Sequence, residues 1–114
     1  MEIDEQIKVV EWCDWVGIPI WHNPNEGKRS YYTGKTLVRA GLRKGVPDLT
    51  IPRARGKYHG LYIEMKYGRN KLTAEQEHWL ADLSRNGYAV KVAYSAEEAI
   101  QAIKKYMSLG GTEQ

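Results

Sequence analysis

Phenylalanine is missing from this chain of 114 residues, cysteine occurs once, and proline only four times. The lone thiol, Cys13, excludes a disulfide framework and a cysteine-built zinc site, and it fits a reducing cytosol. No apolar run approaches membrane-spanning length. The first residues are acidic (Glu2, Asp4, Glu5) rather than basic and then apolar, so they do not read as a secretory signal. A cytoplasmic location is the expectation. Without Phe, the aromatic load falls on eight Tyr and four Trp, whose polar edges suit a half-wet surface as well as a core. This length supports one domain with a modest core, expected over residues 1–109 with a flexible tail at 110–114.

Negative charge is also nearly absent from one stretch. Residues 28–57 hold nine basic side chains (Lys28, Arg29, Lys35, Arg39, Arg43, Lys44, Arg53, Arg55 and Lys57) against a single acid, Asp48, a net +8. The other residues carry eight basic and thirteen acidic side chains, net −5, so the overall +3 conceals an asymmetry. A basic block around one acid suits a polyanion brought to a metal site; a solvated basic face is the equally weighted alternative.

Helical spacing of Ile3, Ile7 and Val10, and of Val9, Cys13 and Val16, predicts a helix over residues 2–16. A short strand is expected at 18–21, a polar loop at 23–34, and a short helix from Thr33 or Gly34 to about Arg43, ended by Gly45 and Pro47. Leu49-Thr50-Ile51 reads as a brief strand stopped by Pro52, Arg53 to Lys57 as a basic hairpin connection, and residues 59–67 as the strongest strand. Thr73-Ala74-Glu75-Gln76 and Ser95-Ala96-Glu97-Glu98 both match the capping box that starts a helix. The first of these helices carries Trp79, Leu80 and Leu83 on one stripe and stops near Gly87. A strand at 88–94 precedes the last helix, which ends near Met107. The order implies an α/β fold with a small mixed central sheet flanked by helices.

The chemistry concentrates in Gly45-Val46-Pro47-Asp48-Leu49 and Ile63-Glu64-Met65-Lys66. Side chains two apart on a strand share a face, so Glu64 and Lys66 point one way while Leu61, Ile63 and Met65 point into a core. Pairing of the Asp48 segment with that strand would bring two carboxylates and an ammonium together, enough to hold a divalent cation and to stabilise charge on a phosphate. Taken singly, each signal is weak: Pro-Asp is commonly a turn cap, and Glu-x-Lys the wet face of an edge strand. Gln76 divides evenly between a capping and a functional role. Glu2 and Gln6 share one face of the first helix, where Glu2 is positioned to add a third carboxylate and Glu5 competes with it; helix-dipole stabilisation explains either acid equally well. His22, His59 and His78 lack metal-ligand spacing, and no phosphate-binding glycine loop or nucleophile elbow is present.

These pieces together resemble the VRR-NUC domain, a branch of the PD-(D/E)xK nuclease superfamily that occurs in stand-alone form in phages and prophages. The resemblance spans nearly the whole chain. It runs from Glu2, Gln6 and Trp12 through Asn25-Glu26-Gly27-Lys28-Arg29-Ser30 and Gly45-Val46-Pro47-Asp48-Leu49 to Tyr62-Ile63-Glu64-Met65-Lys66 and Leu72-Thr73-Ala74-Glu75-Gln76. It implies a restriction-endonuclease-like core and Mg2+- or Mn2+-dependent hydrolysis of DNA phosphodiesters, in this group often at branched structures such as Holliday junctions. By position, Asp48 and Glu64 would be the principal metal ligands, with the Met65 backbone carbonyl completing the shell and Glu2 as an accessory ligand. Lys66 and Gln76 match the family's lysine and helix glutamine.

On that reading Lys28, Arg29, Arg39, Arg43, Arg53 and Arg55 neutralise backbone phosphates. A junction presents two equivalent strands, so a twofold homodimer is expected. The competing expectations are a non-catalytic DNA-binding or adaptor module on the same fold, which has no need of the Asp48, Glu64 and Lys66 set, and a restriction-type endonuclease, for which a further specificity domain is lacking.

Overall fold

Helix α1 (Glu2–Val16) and helix α4 (Ala96–Met107) pack against each other and bury one face of a four-stranded sheet. A computed structural model describes residues 2–24 and 33–110, the Glu2 side chain excepted. The sheet runs β1 (Trp21–His22), β2 (Leu49–Ile51), β3 (Leu61–Met65), β4 (Ala89–Ala93) in that spatial order. The first two pairings are antiparallel and β3–β4 is parallel, joined through helix α3 (Ala74–Arg85). A short helix, α2 (Gly34–Arg39), lies between β1 and β2 in the chain. The mixed α/β architecture expected from the element order is therefore present. No described helix is long and apolar enough to cross a membrane.

Alternation along the strands fixes the two faces. Leu49 and Ile51 of β2 stand opposite Ile63 and Leu61 of β3, and all four are buried with Val9 and Cys13 of α1 and Ile103 and Tyr106 of α4. Burial pushes the Cys13 thiol up to about 11, which leaves it an inert packing group. Asp48, Thr50, Tyr62 and Glu64 take the other face by the same period of two. That face carries the chemistry.

β3 and β4 are shorter at both ends than the expected 59–67 and 88–94, and four further features depart from expectation. Pairing of β1 starts at Trp21 rather than at residue 18, because Ile18 and Ile20 turn into the core and Pro19 has no amide to give a ladder. Helix α2 stops at Arg39, not near Arg43: Gly41 adopts φ +116°, and Leu42 N–H reaches Leu37 O at 2.9 Å in a Schellman closure. The Arg53–Lys57 connection makes only a single bridge, Arg55 to Tyr58. The second capping box is half formed: Ser95 accepts from Glu98 N–H, but the Glu98 carboxylate turns back to Tyr94 N–H at 2.8 Å. Glu5 serves the next amide, accepting from Ala96 N–H at 2.8 Å and tying α1 to the start of α4. That bond, with Lys8 beside it, holds the Glu5 carboxyl below its usual range. Residues 25–32 and 111–114, covering much of the polar loop and most of the expected tail, lie outside the described residues.

Candidate active site

The site begins at a tight approach between a loop and a helix. Gly45 has φ +90°, and a Cβ there would lie 2.7 Å from the Glu75 backbone and 2.9 Å from Gln76 N. Only glycine lets the loop before β2 sit this close to the first turn of α3. Trp79, one turn further along, donates its indole N–H to Lys44 O at 3.1 Å and holds the helix down on the same loop. Fully buried Pro47 then delivers Asp48 to the start of β2.

Asn23, just past β1, braces this point from the other side. Its side-chain amide donates to Pro47 O at 3.0 Å and to Thr50 Oγ1 at 2.8 Å, and its backbone N–H donates to Asp48 O at 2.7 Å. Continuing the β2–β3 register by one step places Asp48 opposite Glu64, on one face. Asp48 Oδ2 accepts the Met65 backbone N–H at 2.8 Å.

Glu64 is 3% exposed. Its Oε2 accepts from Gln76 Nε2 at 3.0 Å, whereas Oε1 is buried and accepts a hydrogen bond from no described residue. Burial pushes the carboxyl up to about 8; the neighbouring Asp48 charge adds to the rise, Lys66 opposes it, and a hydrogen bond to Asp48 favours the protonated form. A pair of facing acids in a half-dry site is unstable when both are ionised and bare. A shared proton resolves the conflict, and so does a divalent cation. The donor set suits a hard cation: carboxylate oxygens, one of them unsatisfied, on a rigid strand pair. Among the described residues no cluster of three His, Cys, Asp or Glu assembles. Two carboxylates with water suit Mg2+ better than a closed protein cage would.

Gln76 joins the acid to the amine. Its Oε1 accepts from Lys66 Nζ at 3.0 Å and from Thr73 N–H at 2.9 Å, while Nε2 serves Glu64. Thr73 Oγ1 accepts from Gln76 N–H at 3.1 Å, so the capping box is complete. The capping and functional readings of Gln76 are thus not alternatives. The cap aims the side chain, and the side chain's two ends reach Glu64 and Lys66.

Asp48, Glu64, Lys66 and Gln76 come together; the other described candidates lie apart from one another. Met65 meets the site through its amide. Glu5 is committed to Ala96 and Lys8. The Glu2 side chain and all of Lys28 and Arg29 lie outside the described residues. Arg39 is exposed at the end of α2, and Arg43 donates to Val38 O and Leu42 O just beyond it. Arg53 and Arg55 lie past the far end of β2; Arg55 donates to Met107 O at 3.3 Å, at the carboxyl end of α4. Sequence reasoning missed Asn23 and the Trp79 bond to Lys44. Asn23 acts on residues 24 and 27 positions away, and Trp79 carried only the signal of an apolar stripe.

The sequence model of the VRR-NUC domain matches residues 28–97, a span that includes Asp48, Glu64, Lys66 and Gln76. Among solved structures, the chain is similar to one titled a VRR_NUC domain protein. The two share 31% identity and a TM-score of 0.81, over 97% of this chain and 91% of the other. Among curated proteins none matches.

Proposed function

The chain belongs to the VRR-NUC domain family, and from that premise we propose that it is a divalent-metal-dependent DNA endonuclease acting on branched DNA. The observation that carries this reading is the buried, half-satisfied Glu64 carboxylate facing Asp48. A core position tolerates an acid without a donor on one oxygen only if something else completes it.

Asp48 and Glu64 would hold Mg2+ or Mn2+, with the Met65 carbonyl and Glu2 as further donors. The bound ion supplies Lewis acidity toward a phosphate oxygen and a water that ionises near neutral pH. Lys66, pinned by Gln76, keeps its ammonium beside the carboxylates, where it orients the attacking water and offsets charge building on the phosphate. Placed by Gln76 rather than by a base of its own, it is assigned the role of an orienting cation and not of the base. Gln76 donates to Glu64 and accepts from Lys66, fixing both without adding charge.

Arg39 and Arg43, with Lys28 and Arg29, are the basic residues proposed to bind backbone phosphates. A twofold homodimer would give a four-way junction two equivalent cuts. The deciding experiment is nicking of supercoiled plasmid and cleavage of a synthetic four-way junction with Mn2+, Mg2+ or chelator, beside Asp48→Asn. Metal-dependent cleavage, faster on the junction and lost in the variant, is expected. DNA binding with no cleavage under any metal would instead identify an adaptor module.

A further inference from the structure

Two residues along the sheet from Asp48 and Glu64, on the same face, lies a second row of side chains. Trp21, Thr50 and Tyr62 stand opposite one another across β1, β2 and β3. A strand advances about 6.6 Å in two residues, so this row borders the carboxylates directly. It floors a cleft of about 310 Å3 that is walled by Pro52, His59 and Tyr88. The Tyr88 ring meets the edges of Tyr62 and His59 at 5.3 and 5.6 Å, inclined by 75° and 70°. At Gly60 a Cβ would come within 3.1 Å of Ile51 O and 3.5 Å of the Tyr88 ring, so glycine keeps the floor open.

Trp21 is 51% exposed yet oriented, because its indole N–H donates to Asn23 Oδ1 at 3.1 Å. Asn23 is also the residue that braces Pro47 and Thr50 beside Asp48. An aromatic side chain held in place at the surface adds nothing to the core, and it is well suited to stacking. No arginine, lysine or carboxylate lines the cleft, so it offers a phosphate no guanidinium or ammonium.

We propose that this cleft receives one unpaired nucleobase of the DNA strand whose phosphate reaches Asp48 and Glu64. The inference rests on the nuclease reading above and sharpens its substrate. Trp21 offers an exposed, oriented ring at the mouth of the cleft, and stacking on aromatic side chains tolerates any base identity. A base can enter only after leaving its pair, which favours junction centres, flaps and frayed ends over intact duplex.

The test is binding, measured with the full chain in chelator so that cleavage does not intervene. The probe is a branched oligonucleotide carrying a fluorescent purine analogue at the unpaired position nearest the branch. Stacking should quench the analogue, and replacing that nucleotide by an abasic one should weaken binding roughly tenfold or more. Trp21→Ala and Tyr62→Leu should abolish the quench, Trp21→Phe should retain it, and the abasic change should cost nothing further in Trp21→Ala. Equal affinity of the wild-type chain for intact and abasic DNA would overturn the proposal, as would a quench that survives both variants. So would a sedimentation result in which Trp21→Ala dissociates a dimer, since a second copy would then own the cleft. Plasmid nicking, run separately, keeps the two readings apart. Base-dependent binding without nicking removes the nuclease and leaves the cleft; nicking without base dependence does the reverse.

Discussion

Gln76 donates to Glu64 Oε2 across 3.0 Å while the other end of the same amide accepts from Lys66 Nζ at 3.0 Å. No direct ion pair joins Glu64 to Lys66 among the described residues; the amide mediates. The arrangement spaces a buried acid from an amine and holds both still. It also makes a helix cap part of the site.

Cap and site can be separated by mutation. Thr73→Ala removes the cap hydroxyl and should cost about 1 kcal/mol of stability, with activity per folded molecule little changed. Gln76→Ala loses the same box and both site contacts, and should lower the single-turnover rate by roughly 10- to 100-fold, the usual worth of a ligand-orienting partner. Equal rates in the two variants, normalised for folded protein, would reduce Gln76 to a cap.

Glu64 predicts an unusual pH dependence for metal-free protein. Its folded pKa of about 8 lies above the ordinary 4.5, so the native state holds an extra proton between those values. Its stability contribution is fully present below the lower value and is lost as pH rises through the upper one. In chelator, the wild-type thermal midpoint should fall across that window relative to Glu64→Gln, whose side chain does not titrate. Added Mn2+ should raise the wild-type midpoint most at the alkaline end and leave Glu64→Gln unmoved. A wild-type midpoint that climbs against the variant over the same range would contradict the burial argument.

Lys66 is expected to act through charge. Lys66→Arg should keep its rate to within about tenfold, whereas Lys66→Met should lose on the order of 100- to 1,000-fold, as when one oriented donor is removed from a charged transition state. Mn2+ binding by calorimetry should persist in both. Complete loss in Lys66→Arg with metal binding intact would shift the assignment toward proton transfer.

Much of this was legible in the sequence, for identifiable reasons. The alternation of Leu61, Ile63 and Met65 against Tyr62, Glu64 and Lys66 is a period-two signal, and a one-residue slip would have buried the wrong set. Thr73 and Gln76 announce their helix three residues apart. Features built on distant pairs left no such trace. Asn23 reaches Pro47 and Thr50, Glu5 caps a helix at Ala96, and Gly45 matters because of Glu75. Where α2 ends was missed for a local reason: Gly41 closes it, and the sequence offered Gly45 and Pro47 as equally good stops. The basic block was read as one patch, yet β2 carries Arg53 and Arg55 away from Asp48.

That separation gives a prediction about the arginines. Arg39→Ala should weaken DNA binding and reduce the salt slope by about one counterion between about 50 and 200 mM salt. Arg55 donates to the last carbonyl of α4, Met107 O, so Arg55→Ala should cost about 1 kcal/mol of stability with little change in slope. An Arg55→Ala slope matching that of Arg39→Ala would extend the DNA path to the far end of the sheet.

Two glycines with positive φ separate backbone strain from packing. Gly41 (φ +116°) has nothing within 4 Å of its would-be Cβ, whereas at Gly45 (φ +90°) the Glu75 backbone lies at 2.7 Å. Gly41→Ala therefore meets conformational strain alone, on the order of 1 kcal/mol, and should leave the rate per folded molecule unchanged. Gly45→Ala adds a collision with α3 backbone that no rotamer change can relieve, so the loop and the helix must part. Because Gln76 rides on that turn and Asp48 follows three residues after the glycine, the gap opens inside the site. Gly45→Ala should lower the thermal midpoint further than Gly41→Ala and should also reduce activity in the molecules that remain folded. If the two alanine variants matched in both readouts, the close approach would have no bearing on how Asp48 meets Gln76.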